Sequence, residues 1–101
     1  YDVTRLLQRG KNALALTLAD GWYAGHVGLV GRGVYGTTPH ACSQLVVEYT
    51  DGKTETIITD GTWKGTTTGA VITSDMMMGE TFDARKIVAD WNRPGFDDTK
   101  W

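Results

Sequence analysis

Most of the aromatic rings and polar groups that could hold a sugar lie between residues 12 and 35 of this sequence. A sugar binds where a ring stacks on its C–H face and carboxylates or amides take its hydroxyls, on loops carried by a rigid scaffold. Trp22, Tyr23 and Tyr35 supply rings, and Asp20, Asn12 and Asp75 supply polar groups. Packing into a core or against a neighbouring domain is the competing use of Trp22 and Tyr23. Asp20, Glu80 and Asp83 could also be paired for glycoside hydrolysis, which needs a carboxyl group on either side of the sugar bond. In Gly79-Glu80-Thr81-Phe82-Asp83-Ala84-Arg85, alternation puts Asp83 and Arg85 on one face, able to pair. Glu80 then sits beside Phe82 and needs a calcium ion, a cluster of N–H groups or a basic side chain.

Other chemistries lack their motifs. There is no serine elbow, phosphate loop, Cys-x-x-Cys or His-Glu-x-x-His. His26 and His40 lie in or beside glycine-rich loops with no carboxylate at ligand spacing and read as loop histidines. Met76-Met77-Met78 would point alternately to opposite faces of an extended chain, which suits adaptable packing rather than a soft metal. The single cysteine, Cys42, forms no internal disulfide and reads as a small buried apolar residue. With 12 acidic against 10 basic residues, a net charge of -2 and no basic block, neither a nucleic acid nor a polybasic membrane contact is expected. No apolar run approaches ~18 residues, so no membrane span is expected within these residues, nor a signal peptide.

The elements that must position these groups are strands. A chain of 101 residues is one small domain, expected to bury a little over ~60% of its unfolded surface around a single core. Thirteen glycines, many threonines and valines and no sustained helical period predict an all-β domain. Leu14, Leu16 and Leu18 alternate with Ala13, Ala15 and Thr17, predicting a strand over residues 11–18 with one face on the core. It runs into the Asp20-Gly21 turn and the aromatic loop, where Gly25 and Gly28 let the backbone bend. Ahead of it, Thr4 or Asp2 caps a short turn over Arg5-Leu6-Leu7 that closes at Gly10, with Leu6 and Leu7 plugging one end of the core. Residues 27–39 form a long glycine-rich loop. Residues 44–49 and 53–59 predict a hairpin around a tight Asp51-Gly52 turn, with Glu48 and Glu55 outward and Leu45, Val47 and Ile57 or Ile58 inward. Asp60-Gly61-Thr62 turns the chain again and delivers Trp63 to the core or a sheet edge. Residues 71–75 form a short strand or extended loop, and residues 79–85 a strand with Phe82 buried.

Several blocks together carry a resemblance. Leu18-Ala19-Asp20-Gly21-Trp22-Tyr23 is preceded by Tyr1-Asp2-Val3-Thr4-Arg5-Leu6-Leu7-Gln8-Arg9-Gly10-Lys11-Asn12. It is followed in order by Asp60-Gly61-Thr62-Trp63-Lys64, the Gly79 to Arg85 block and Pro94-Gly95-Phe96-Asp97-Asp98-Thr99-Lys100-Trp101. In this the chain resembles the N-terminal domain of bacterial α-L-rhamnosidases, glycoside hydrolase family 78. The resemblance implies an antiparallel β-sandwich of jelly-roll, galactose-binding-like type, incomplete at its N-terminal side. Residues 1–89 would be that partial domain, and residues 90–101 a linker and the entry to a following domain.

For function, the resemblance implies a parent enzyme that releases terminal α-L-rhamnose from glycosides with inversion. Its catalytic acids belong to a separate downstream (α/α) barrel, and no residue here matches that segment. The expected partners are therefore L-rhamnose-containing glycosides and the catalytic barrel of the same polypeptide. Some relatives of the domain hold terminal L-rhamnose with the help of calcium, an ion that takes about six to eight oxygens. Asp20, beside its glycine-rich loop, and Glu80 are the candidate calcium ligands. The sequence thus leaves a sugar-binding module using Asp20, Trp22, Tyr23 and Tyr35, or a structural module that braces the barrel. A stand-alone adhesion or assembly sandwich is the reading of a different class. Missing strands would leave bare edges that pair with another chain, so a strand-swapped dimer is also expected. A periplasmic or secreted location is favoured over the cytoplasm.

Overall fold

The computed structural model describes residues 1–101. Its β structure is three antiparallel hairpins, each a two-stranded sheet of its own. β1 (His26–Val27) pairs with β2 (Gly31–Arg32), β3 (Gln44–Glu48) with β4 (Thr54–Ile58), and β5 (Val71–Asp75) with β6 (Gly79–Phe82). Short 3-10 turns lie at Thr4–Leu6, where Asp2 accepts the Thr4 N–H at 2.9 Å, and at Ala84–Lys86. The domain is antiparallel and β-rich, as its composition predicts, but its sheets are open and do not close into a sandwich within these residues.

The β3–β4 hairpin forms where alternation and turn chemistry agree. Tyr49 N–H donates to Lys53 O at 2.8 Å and Gly52 N–H to Tyr49 O at 2.9 Å, closing a three-residue loop rather than a two-residue one. Gly52 takes φ +84, which a side chain would resist. The register, with Leu45 opposite Ile57 and Val47 opposite Glu55, corrects the predicted faces. Glu55 shares the face of Leu45 and Val47, where its carboxylate accepts the Tyr49 hydroxyl at 2.6 Å. Trp63 donates its ring N–H to Ile58 O at 3.2 Å, an anchor at the sheet edge.

The strand expected over residues 11–18 is absent from every sheet. Residues 13–19 make no backbone–backbone hydrogen bond, and Leu14, Leu16 and Leu18 stay 43, 40 and 46% exposed. Alternation shapes a strand's faces, but a ladder also needs a neighbouring backbone to satisfy it. The same want of an opposing layer overturns other predicted burials. Leu6, Leu7, Ile57, Ile58, Phe82 and Cys42 are all exposed. Only 3 of the 101 residues are buried, Ala24, Gly25 and Asp75. The accessible surface is 8621 Å², against ~5,600 Å² for a compact protein of this mass, so the chain buries roughly 46% of its unfolded surface. Its radius of gyration is 16.9 Å, where a compact domain of this length has about 13 Å.

Residues 90–101 fold back on themselves. Trp101 stacks on Trp91 with ring centres 6.3 Å apart and meets the edge of Phe96 at 5.1 Å. Lys64 holds Asp98 at 3.0 Å.

Candidate functional site

All three buried residues lie where the aromatic loop meets the β5–β6 hairpin. The loop leaves the extended segment at Asp20, whose carbonyl accepts the Ala24 N–H at 3.0 Å. Gly21 donates its N–H to Ser74 O at 3.2 Å and bridges to Asp75. Gly25 follows, and a β-carbon there would run into the Gly21 carbonyl oxygen and stand 2.8 Å from the Asp75 carboxylate. Glycine is required at that close approach.

Asp75 organises the junction. One carboxylate oxygen accepts the His26 N–H and meets His26 Nδ1, both at 2.8 Å. The other accepts the N–H groups of Met77 and Met78 at 2.8 and 3.0 Å, closing the turn between β5 and β6. A carboxylate only accepts, so Nδ1 carries the hydrogen. The His26 ring first, then the Met78, Met77 and His26 backbone donors, hold this carboxyl well below the usual carboxylate range, against the opposing effect of its burial. From β2, Arg32 reaches back over the loop. Its guanidinium bonds Asp20 at 2.8 Å and Ala24 O at 3.1 Å.

On the outer side of this loop lies a hollow of ≈ 440 Å³, lined by residues 18–23 with Pro39 and His40. That volume falls in the ~300–1,000 Å³ range of small-molecule sites. Trp22 and Tyr23 are each about half exposed, at 48 and 46%. The Tyr23 ring lies against Gly36, where any β-carbon would collide with it. Three of the four predicted sugar-site residues, Asp20, Trp22 and Tyr23, therefore share one hollow. Tyr35 is exposed and does not line it.

The remaining candidates have other work. Asn12 closes the turn before it, accepting from Gln8 N–H at 3.0 Å and donating to Gln8 O at 2.9 Å. Asp75 is buried beneath the loop. Asp83 does pair with Arg85, through two bonds of 2.9 Å, but across the 3-10 turn at Ala84–Lys86 rather than along one strand face. Glu80, opposite Ser74 on β6, is exposed, so water can solvate the charge expected to need a partner. No three His, Cys, Asp or Glu side chains converge anywhere in the chain, and one Asp20 oxygen is already held by Arg32. Sequence reasoning missed Arg32, Pro39 and His40, and also the His26–Asp75 pair, whose members are 49 residues apart.

Comparison with known proteins agrees with the resemblance. The family model described as the α-L-rhamnosidase N-terminal domain matches residues 1–101. An α-L-rhamnosidase of Streptomyces avermitilis is 48% identical over 101 residues, covering 100% of this chain and 10% of the relative. One from Formosa agariphila is 38% identical over 103 residues, covering 100% of this chain and 11% of the relative. The crystal structure of the Streptomyces avermitilis α-L-rhamnosidase complexed with L-rhamnose superposes with a TM-score of 0.77 at 46% identity, over 81% of this chain and 8% of that one. The chain spans about a tenth of the length of these curated relatives.

Proposed function

The chain belongs to the α-L-rhamnosidase N-terminal domain family, and from that premise we propose that it is a non-catalytic accessory domain that binds terminal L-rhamnose or a related sugar. The observation that carries this reading is the hollow that half-exposed Trp22 and Tyr23 line together with Asp20. The rings offer faces for the apolar side of a deoxy sugar, and the Asp20 oxygen not bonded to Arg32 accepts a hydroxyl. His40, on the rim, is a further polar group within the same hollow. The resemblance assigns hydrolysis to the (α/α) barrel of the longer enzyme; of the three carboxylates weighed for it here, Asp20 is bonded to Arg32 and Asp83 to Arg85. The test is an amide NMR titration with L-rhamnose, with and without calcium, on the chain and on Trp22→Ala. Saturable shifts over residues 20–28 that Trp22→Ala weakens at least ~10-fold are expected, the loss of a stacking ring and its burial. Silence in both conditions would leave a structural domain.

A structural reading is favoured by a separate observation, the unpaired, leucine-faced residues 13–19. On that reading the three hairpins are parts of a jelly-roll sandwich whose opposing strands come from the longer polypeptide, and the domain also braces the catalytic barrel. The isolated chain would satisfy the same edge with a second copy, as a strand-swapped dimer. Sedimentation across a hundredfold range of concentration checks this. A mass that stays monomeric rejects the dimer.

A further inference from the structure

We infer that Asp75 is the positioning residue of the hollow, setting the geometry of its binding groups without touching what binds. This role in sugar binding rests on the reading of the hollow as a sugar site. The carboxylate is 4% exposed and does not line the hollow. Its contacts tie the aromatic loop, whose residues 18–23 line the hollow, to the turn between β5 and β6. His26, at the far end of the aromatic loop, gives it two N–H groups, and the turn after β5 gives it two more. Ser74, next to it, holds the near end of the loop at Gly21. The residues between Gly21 and His26 are thus clamped at both ends by consecutive positions of one strand, and Trp22 and Tyr23 project from the clamped segment. Gly28 N–H adds a 3.0 Å contact to the Met77 sulfur just beyond.

The donor count explains why an aspartate stands here. Four N–H groups converge on two oxygens, so every contact needs an acceptor, and each is a charge-assisted bond stronger than a neutral one. Asparagine at the same place keeps the shape but turns an NH₂ toward two donors. Glycine at position 25 completes the arrangement, since its missing side chain is what lets the loop settle on the carboxylate.

The experiment compares the wild-type chain with Asp75→Asn and His26→Ala by amide exchange, by the nuclear Overhauser contact between the Tyr23 ring and Gly36, and by L-rhamnose titration. Asp75→Asn is expected to speed exchange at His26, Met77 and Met78 by ~10-fold or more, to erase the Tyr23–Gly36 contact and to weaken L-rhamnose by a similar factor. The β3–β4 amides serve as the internal reference and should not change. His26→Ala removes the ring bond but keeps the backbone donors, so it should move the same signals in the same direction by less. Unaltered exchange, or faster exchange with the Tyr23 contact and the sugar affinity intact, overturns the inference. Should Asp75→Asn lose its β3–β4 signals as well, His26→Ala decides by the same criteria. A wild-type chain that ignores L-rhamnose rejects the sugar reading, and the Tyr23–Gly36 contact in the variants still decides whether Asp75 shapes the hollow.

Discussion

The β3–β4 hairpin and the junction between the aromatic loop and β5–β6 are held by opposite means. The hairpin is regular, with five paired positions and a closing loop, yet none of its side chains is buried. The junction is mostly loop and turn, yet it contains every buried residue of the chain. Backbone regularity here comes from local pairing, whereas burial comes from one carboxylate that draws two distant segments together. Secondary structure and core are therefore separable properties, and the loop that lines the hollow is anchored by the second.

The contrast can be broken most directly at Gly25. Gly25→Ala pushes a β-carbon into the Gly21 carbonyl and the Asp75 carboxylate, and overpacking of this kind costs ~1–3 kcal/mol. Exchange at Ala24 and His26 should rise accordingly while the β3–β4 amides hold steady. An equal rise in both regions would show that the hairpin leans on the junction after all.

Acid should divide the two regions next. The Asp75 carboxyl is held below the usual range when folded, so its contribution is fully present above the ordinary carboxylate value of ~3.9 and is lost as pH falls through the lower folded value. Protection of the Met77 and Met78 amides should thus survive from pH 7 to about 4 and give way only in stronger acid. Loss of that protection at pH 5 would mean that another group controls the turn.

The smallest effect belongs to the hairpin's open face. Val46→Thr changes a half-exposed β-branched residue opposite Thr56, and a surface exchange of this kind should alter stability by no more than ~0.5 kcal/mol. A larger loss in hairpin amide protection would reveal that the face is covered.

What could be read from the sequence follows the range of the interactions. Asp51-Gly52 between two alternating runs predicts β3–β4 because everything the hairpin needs is local, although alternation did not reveal that Glu55 shares a face with Val47. Asp20, Trp22 and Tyr23 are neighbours in sequence, and so their shared hollow was foreseeable. Pro39 and His40 enter it from another segment, Arg32 reaches Asp20 from β2, and His26 meets Asp75 across 49 residues, a distance at which residue types carry no spacing signal. The burial of Leu14, Leu16, Leu18 and Phe82 was predicted from periodicity, which identifies an apolar face but not whether another layer covers it.

A surface of 8621 Å² on a chain of this size also has a calorimetric consequence. Heat capacity rises on unfolding because apolar groups newly meet water, and a compact protein of this length shows ~1.2–1.5 kcal/mol/K. Here most leucines, isoleucines and methionines meet water before any heating begins. The increment should be well below that range, and the melt broad and shallow, with each hairpin loosening on its own schedule. A sharp endotherm would belong to this domain only once its leucine-faced edge is covered.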